Sequence, residues 1–269
     1  MKNLKEQYGN IAMITGASGG LGEEFAIQLA EQGLDLILVA RSKDKLENLS
    51  NTLKSKYGVK VWVKIADLSD SSDTQKLIDE VKKEQLDISL LINNAGFGSF
   101  GFFHDLDGKN EAKMIDVNIK SPVMLTSAFL PKMVQNKKGA IVFLGSVGSY
   151  QPTPFFSNYS ATKAWNLMFA ESLWAEVRKE GVDVICLSPG YTKTEFQENA
   201  GAYGQKPLGG WSEPKDVVKR CFSMLGKKPS TIPGFMNWFL AWNIRFTPRR
   251  IAPLVSYNLF KPKKVLVKG

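Results

Sequence analysis

Tyr159 and Lys163 stand four residues apart in the segment SNYSATKAW at 157–165. On a helix this spacing places two side chains on one face, about 5–6 Å apart. One interpretation is an exposed amphipathic pair with no chemical role. The other is an acid–base couple, in which the ammonium group lowers the pKa of the phenol from about 10 toward neutrality. The elements around this segment must decide between the two.

Predicted strands and helices alternate along the chain. Apolar runs predict six strands at 11–15, 35–40, 60–65, 88–93, 140–144 and 183–187, and helical patterns fall at 21–32, 43–56, 72–85, 110–135 and 159–180. Near-continuous apolar strands separated by helices are typical of a parallel sheet that is covered on both faces. The sequence therefore predicts an α/β fold with a doubly wound, Rossmann-type sheet, whose ligands bind beyond the carboxyl ends of the strands.

The first two strands end in residues that suit a dinucleotide. The first runs into TGASGGLG, from Thr15 to Gly22, and this turn opens a helix. Glycines here allow a tight turn and the close approach of a pyrophosphate, which a helix N-terminus attracts. The second strand ends at Arg41 with no acid, and Ser18 is a second candidate contact. In dinucleotide-binding folds an acid at this position holds a ribose 2′-hydroxyl, whereas an arginine accommodates a 2′-phosphate. The pattern therefore favours NADP(H) over NAD(H). The alternative is that Arg41 is a solvated residue at the start of a helix and contacts no cofactor.

Polar residues also follow the later strands. Asp67-Leu68 and Asn93-Asn94-Ala95-Gly96 come after the third and fourth strands, where an adenine ring and a ribose would lie along the sheet edge. The fifth strand ends at Ser146, thirteen residues before Tyr159. The sixth leads to SPGYTKT at 188–194, whose hydroxyls and backbone groups suit a nicotinamide carboxamide.

From about residue 8 to 226 the chain resembles the short-chain dehydrogenase/reductase family. The resemblance is carried by TGASGGLG, Asp67, NNAG at 93–96, Asn118 in VNIKSP, Ser146, YSATK at 159–163 and PGYTKT at 189–194. The longer C-terminal end is similar to the branch that includes 3-oxoacyl and hydroxysteroid reductases. The resemblance favours the acid–base interpretation of Tyr159 and Lys163.

The resemblance also implies a role for each matched residue. Tyr159 would be the general acid in reduction, while Lys163 would lower its pKa and hold the nicotinamide ribose. Ser146 would orient the substrate carbonyl, and Asn118 would hold a water that links Lys163 to solvent. Asn93 would brace the sheet. The implied cofactor contacts are Gly16, Ser18, Gly20, Leu21, Gly22, Arg41, Asp67, Leu68, Asn94, Ala95, Gly96, Val117, Tyr159, Lys163, Thr192 and Thr194.

Aromatic residues on the loops expected around the nicotinamide suggest an apolar substrate, such as a fatty acyl, steroid-like or aromatic ketone. They are Phe97, Phe100, Phe102, Phe103, Tyr150, Phe155, Phe156 and Tyr191. We therefore expect an NADP(H)-dependent oxidoreductase that interconverts a carbonyl and a secondary alcohol of a small molecule. The alternatives are an NAD(H)-linked alcohol dehydrogenase and a non-catalytic NADP-sensing protein, and the complete acid–base set argues against the sensor.

The sequence predicts a single catalytic domain at 1–231 and a C-terminal extension at 232–269. The loop 190–211 carries five glycines and is expected to be a substrate lid, followed by a helix with Ser212 as its N-cap and Pro214 in its first turn. The apolar run 232–246 is shorter than the ~20 residues that span a bilayer. We expect it to cover the core or form a dimer contact, or otherwise to lie on a membrane surface.

Charge and composition narrow the classes of partner. Residues 227–269 hold nine Lys or Arg and no Asp or Glu, which accounts for the whole net charge of +9. No nucleic-acid-binding motif accompanies this charge, so we expect no nucleic acid partner. One histidine, His104, and two distant cysteines, Cys186 and Cys221, predict no metal site. Buried thiols and no apolar N-terminal segment predict a cytoplasmic protein, which we expect to form a homodimer or homotetramer.

Overall fold

A computed structural model describes residues 3–203 and 209–261, and its centre is one parallel sheet. The strands are β1 (Ile11–Thr15), β2 (Asp35–Ala40), β3 (Val61–Ile65), β4 (Ile88–Asn93), β5 (Gly139–Leu144), β6 (Val182–Leu187) and β7 (Ser230–Thr231). Their order across the sheet is β3-β2-β1-β4-β5-β6-β7. The chain therefore reverses direction across the sheet between β1 and β4, which is where doubly wound sheets bind ligands. The predicted fold class is confirmed.

Helices cover the sheet on both sides. They are α1 (Leu4–Tyr8), α2 (Gly20–Glu31), α3 (Lys43–Tyr57), α4 (Ser71–Lys83), α5 (Gly108–Ile115), α6 (Ser121–Gln135), α7 (Ser157–Val177), α8 (Phe196–Asn199), α9 (Pro214–Met224), α10 (Phe235–Asn243) and α11 (Ala252–Phe260). A π-helical turn at Asp116–Lys120 joins α5 to α6, so the helix predicted at 110–135 is one continuous helical segment. β7 was not among the predicted strands, because a strand of two residues carries no apolar pattern.

Two apolar clusters lie on the two faces of the sheet. Along β1, Ala12 and Ile14 belong to one cluster and Met13 to the other, because successive side chains of a strand point to opposite faces. Both faces are covered, so residues 36–39 of β2 and 184–187 of β6 are all buried. This burial explains why the strands read as apolar runs rather than as alternating patterns.

The start of α9 differs from the prediction. Glu213, not Ser212, is the N-cap, and Pro214 is the first helical residue. The backbone of Ser212 is instead paired with the other end of the 190–211 loop: its N–H donates to the carbonyl of Tyr191, and its own carbonyl accepts from the N–H of Lys193, both at 3.0 Å. This pairing draws Ser212 out of the cap position and joins the two ends of the loop.

The helices α10 and α11 lie beyond the last strand. No helix in residues 3–203 and 209–261 is long and apolar enough to cross a bilayer. Trp238, Trp242 and Phe246 of the predicted apolar run are exposed on this chain. The expectation that this run covers the core is therefore wrong for its aromatic side chains.

Candidate active site

The carboxyl ends of β1 to β6 border one cleft of about 1450 Å³. Gly22 and Asn118 lie behind its lining, and the structure brings every other predicted site residue to its wall. These are Gly16, Ser18, Gly20, Leu21, Arg41, Asp67, Leu68, Asn94, Ala95, Gly96, Val117, Ser146, Tyr159, Lys163, Thr192 and Thr194.

The glycine turn after β1 packs tightly against the chain that follows β4. A Cβ on Gly22 would lie 2.1 Å from the carbonyl oxygen of Gly16, and Gly16 itself has a φ of +65°. Asn94 fixes the turn by donating from Nδ2 to the carbonyl of Thr15 at 2.8 Å. The turn, which we call the glycine cradle, has no room for a side chain at Gly16 or Gly22. It brings the backbone to the N-terminus of α2, and this arrangement fits a pyrophosphate.

Charged side chains gather at the β2 end of the cleft. Arg41 follows β2 directly, and Lys45 of α3 lines the same part of the wall. The backbone N–H of Ser69 holds the pKa of Asp67 below its usual range, and the positive charge of Arg41 adds to this lowering against the effect of burial. Sequence reasoning missed Lys45, although its position four residues after Arg41 was a usable signal.

A capping box positions Ser146 at the end of β5. Its hydroxyl accepts from the N–H of Gly148 at 3.1 Å, and its own N–H donates to Oγ of Ser149 at 3.0 Å. The Ser149 hydroxyl in turn donates to the carbonyl of Lys163 at 2.8 Å, which fastens this turn to α7. The two elements are thereby held so that Ser146 lies beside Tyr159, where its side chain acts to lower the pKa of the phenol.

Burial dominates the protonation of Tyr159 and Lys163. It raises the pKa of Tyr159 above its usual range, although the side chain of Ser146 acts in the opposite direction. It also lowers the pKa of Lys163 to about 8. Nζ of Lys163 donates to the carbonyl of Leu144 at 2.8 Å and lies 5.8 Å from the centroid of the Tyr159 ring. The predicted lowering of the phenol pKa by Lys163 is therefore not seen in this arrangement.

The side chain of Asn118 joins the loop after β4 to α7. Its Nδ2 donates to the carbonyl of Phe97 at 3.0 Å and to Oγ1 of Thr162 at 2.9 Å, while its Oδ1 accepts from the N–H of Phe97 at 3.1 Å. The backbone carbonyl of Asn118 accepts from Nδ2 of Asn166 at 3.1 Å. Asn166, one turn beyond Lys163, was not predicted, since an asparagine in mid-helix gives no signal of its own.

Aromatic rings surround Tyr159 on the open side of the cleft. The ring centroids of Phe156 and Phe196 lie 5.8 Å and 5.2 Å from that of Tyr159. Phe97 and Tyr191 complete the aromatic wall. Phe196 was not predicted, because the short helix α8 that presents it interrupts what reads as an irregular loop.

The other predicted aromatic residues do not line the cleft. Phe100 packs behind Phe156 at 4.8 Å, and Phe155 contacts Tyr257 of α11 at 5.1 Å. Tyr150 borders a separate cavity of about 880 Å³ beside α9 and α10. Phe102 and Phe103 are exposed.

Polar groups elsewhere do not form a second reactive cluster in the part of the chain that the structure describes. Within residues 3–203 and 209–261, no three His, Cys, Asp or Glu side chains are grouped so that they could hold a metal ion. Cys186 and Cys221 are buried free thiols, as the sequence predicts. The side chain of His104 is 77% exposed and faces Asp105.

Comparison with known proteins agrees with this architecture. A family model described as short chain dehydrogenase matches residues 10–203. The very-long-chain 3-oxoacyl-CoA reductase of Phaeosphaeria nodorum is 33% identical over 270 residues, covering 93% of this chain and 75% of that protein. A solved structure of a 7beta-hydroxysteroid dehydrogenase superposes with a TM-score of 0.85 at 26% identity, over 94% of this chain and 99% of the other. The short-chain dehydrogenase from Sphingobium yanoikuyae in complex with NADPH gives a TM-score of 0.79 at 32% identity, over 88% and 94%. The chain therefore belongs to the short-chain dehydrogenase family and is an oxidoreductase that acts on carbonyl and alcohol groups.

Proposed function

We propose that this enzyme uses NADP(H) to interconvert an apolar ketone and its secondary alcohol. One observation carries the proposal: Ser146, Tyr159 and Lys163 line one dinucleotide-sized cleft, with Ser146 beside Tyr159 and Nζ of Lys163 5.8 Å from the centroid of the Tyr159 ring. A carbonyl oxygen placed between the two hydroxyls would receive a hydrogen bond from each.

The cofactor would lie along the cleft from Arg41 to Tyr159. The glycine cradle lets the backbone at Gly16 and Gly20 line the cleft at the start of α2, where a pyrophosphate would lie, because Gly22 leaves space for the cradle to pack against the helix. Gly96 brings the chain close to Lys163, since a Cβ there would lie 3.2 Å from Nζ. When bound, the nicotinamide supplies the hydride, and the protein supplies orientation and proton transfer.

Proton transfer would take place at the hydroxyl of Tyr159. This phenol holds its proton at neutral pH, as the acid in reduction must, although burial raises its pKa and so opposes the release of that proton. Lys163, with a pKa of about 8, is mostly charged at neutral pH and gives up a proton at slightly higher pH. We assign Ser146 to the orientation of the carbonyl. Asn118 supports the loop that carries Phe97, and we assign to it also the water that would link Lys163 to solvent.

The preference for NADP(H) rests on the β2 end of the cleft. Arg41 and Lys45 place two cations there, where a 2′-phosphate would lie, and Ser18 adds a hydroxyl. The complex of the Sphingobium yanoikuyae enzyme with NADPH supports this preference. An NAD(H)-linked enzyme would need an acceptor for two ribose hydroxyls at this position instead.

The preference for an apolar substrate rests on the rings around Tyr159. Phe97, Phe156, Phe196 and Tyr191 offer little beyond apolar and aromatic contact on the side where the substrate must enter. The similar proteins are named for 3-oxoacyl-CoA and 7beta-hydroxysteroid substrates, and both kinds of molecule are largely apolar.

We also propose that the loop 190–211 is a lid on this cleft. Its ends are joined through Ser212, and Phe196 in its middle packs on Tyr159. Glu195 reaches across the cleft to Lys45 of α3, with 3.8 Å between the charged atoms. We further propose a catalytic domain at 1–231, an extension at 232–269 and a cytoplasmic location. We also propose that the enzyme is a homodimer or a homotetramer, and light scattering tests this oligomeric state.

The deciding experiment follows NADPH oxidation with a 3-oxoacyl thioester, a ketosteroid, an aryl ketone and a polyhydroxylated ketone. We expect turnover of one or more apolar ketones, loss of turnover in Tyr159→Phe, and normal turnover in the control His104→Gln, which alters an exposed side chain outside the cleft. Tight NADPH binding without turnover of any ketone would instead support the sensing protein. Equal rates with NADH would support the NAD(H)-linked dehydrogenase.

A further inference from the structure

The helices α10 and α11 bury small or polar residues and expose large apolar ones. Helix α10 buries only Asn237 and Ala241, and α11 buries only Ala252 and Ser256. A helix on a surface that faces water has the reverse arrangement. The C-terminal face, as we call the exposed apolar residues between 235 and 259, consists of Phe235, Met236, Trp238, Phe239, Leu240, Trp242, Phe246, Ile251, Leu254, Val255, Tyr257 and Leu259.

The aromatic residues of the C-terminal face form a continuous row. The ring centroids of Phe235 and Trp238 are 5.9 Å apart, those of Trp238 and Trp242 are 6.1 Å apart, and those of Trp242 and Phe246 are 5.0 Å apart. Phe235 is 75% and Phe246 is 70% exposed. Scattered apolar side chains are normal on a protein surface, but a contiguous patch of this kind marks a surface that another phase or molecule covers.

Basic side chains outnumber acidic ones around the C-terminal face, although Glu213 and Asp216 line the cavity that Phe235, Trp238 and Trp242 border. Arg245, Arg249 and Arg250 are exposed on and just after the turn that ends at Phe246, and Lys261 follows α11 directly. No Asp or Glu occurs anywhere in residues 227–269. The partner that covers this face must therefore offer apolar contact and negative charge together.

We propose that the C-terminal face binds the surface of an anionic lipid bilayer. Helices with Trp and Phe on one side and arginines beside them lie in the boundary between headgroups and acyl chains, where both groups are satisfied. A second copy of this chain fits less well, because a two-fold interface places the same patch on both subunits. Each copy would then bring basic side chains to the interface, and residues 227–269 offer no Asp or Glu to pair with them.

The body of the enzyme holds this face in place. Asn237 lies so close to the 190–211 loop that a Cβ on Gly190 would come within 2.5 Å of its Nδ2, and the same Nδ2 donates to the carbonyl of Pro233 at 3.1 Å. Tyr257 of α11 packs against Phe155 in the loop before α7, with the two rings tilted by 40° and their centroids 5.1 Å apart. The face is therefore preformed and attached to both loops beside the cleft.

This attachment deepens the proposed function. Phe260, the last residue of α11, lines the catalytic cleft. If the substrate is apolar, as the proposed function holds, lipid binding would place the mouth of the cleft beside the phase in which that substrate dissolves. Lipid binding itself does not require turnover, so a binding assay separates a failure of this inference from a failure of the proposed function.

The test is co-sedimentation of the full chain with vesicles of phosphatidylcholine, with or without phosphatidylglycerol. An apolar variant carries Phe235→Ser and Phe246→Ser, and its matched control carries Phe103→Ser and Met168→Ser, which are similarly exposed elsewhere. A charge variant carries Arg245→Gln, Arg249→Gln and Arg250→Gln. Its matched control carries Lys82→Gln, Lys83→Gln and Lys179→Gln, all exposed. Light scattering gives the oligomeric state of each.

We expect the parent and both controls to bind the anionic vesicles and to bind neutral ones much more weakly. The charge variant should lose roughly 100-fold in affinity, since each basic residue near an anionic surface contributes about fivefold. The apolar variant should lose at least about tenfold. Two variants of different kinds keep the test decisive if one of them fails to fold.

Two results would overturn the inference. The first is a parent protein that does not sediment with anionic vesicles while the apolar variant has a smaller mass by light scattering, which would make the C-terminal face an interface between copies. The second is equal binding to neutral and anionic vesicles, which would remove the role of the arginines.

Discussion

Replacing Arg41 by alanine tests how the cleft selects its dinucleotide. Arg41 is exposed, so water screens its charge. Two unit charges 4 Å apart interact by about 1 kcal/mol in water and about 4 kcal/mol near a protein surface. The ionised carboxylate of Asp67 already interacts with Arg41 and offsets part of this attraction. We therefore expect Arg41→Ala to weaken NADPH binding by about 1–2 kcal/mol, roughly 5- to 30-fold, with NADH binding within about twofold.

The assay is calorimetric titration of both nucleotides at two salt concentrations. Lys43→Ala is the matched control. Lys43 lies two residues after Arg41, at the start of α3, but its ammonium group pairs with Glu47 at 3.6 Å and it does not line the cleft. Screening should reduce the effect of Arg41→Ala at high salt. Equal losses for NADPH and NADH would refute the assignment of Arg41 to the 2′-phosphate. A selective loss in Lys45→Ala, with Arg41→Ala unchanged, would transfer that role to Lys45.

Three further substitutions test the site. Tyr159→Phe should lower kcat by at least about 100-fold and leave NADPH affinity unchanged, because only the proton donor is lost; activity within tenfold of the parent would contradict this. Lys163→Met should raise the free energy of unfolding at pH 7 by about 2 kcal/mol, because it removes the cost of about 3 kcal/mol of the lowered pKa and loses about 1 kcal/mol with the hydrogen bond to Leu144. Because the folded pKa of about 8 lies below the usual value of 10.5, this gain should shrink as pH rises from 8 toward 10.5, and denaturation at both pH values checks it. Gly22→Ala should lower the free energy of unfolding by about 3 kcal/mol and abolish nucleotide binding, since its Cβ meets backbone. The control is Gly19→Ala, whose new Cβ has no atom within 4 Å, and it should change the free energy of unfolding by under about 0.5 kcal/mol. Equal losses of stability in the two variants would refute the tight packing of the glycine cradle at Gly22.

The fold could be predicted from the sequence where burial on both faces leaves a long apolar run. Strands β1, β2 and β4 begin and end at the predicted residues, because every position from 36 to 39, for example, is buried and apolar. Strand β7 could not be predicted in this way, because its two residues are too few to form an apolar run. The N-cap of α9 was assigned to Ser212 because local sequence favours it, but pairing with the distant Tyr191 decided otherwise.

The residues of the site could be predicted because the topology collects strand ends at one edge. Arg41, Asp67 and Ser146 are far apart in sequence, yet each follows a strand and lines one cleft. Protonation could not be predicted in this way. The spacing of Tyr159 and Lys163 indicates proximity, but their pKa values depend on burial, which arises only when the loops and α7 are packed together.

The first turns of α7 bury polar and charged side chains at positions where packing against the sheet alone would favour apolar ones. Further along, the helix buries Leu167, Ala170 and Leu173, as a helix that only covers a sheet would do throughout. In its second and third turns it buries Lys163 and Asn166 instead. Lowering the pKa of Lys163 to about 8 costs about 3 kcal/mol at neutral pH, a large part of the 5–15 kcal/mol that stabilises a typical domain. One hydrogen bond to a carbonyl does not offset such a cost. Charge buried at this cost, beside the phenol of Tyr159 and at the wall of a cleft, is what the proposed proton transfer would account for, whereas stability would not.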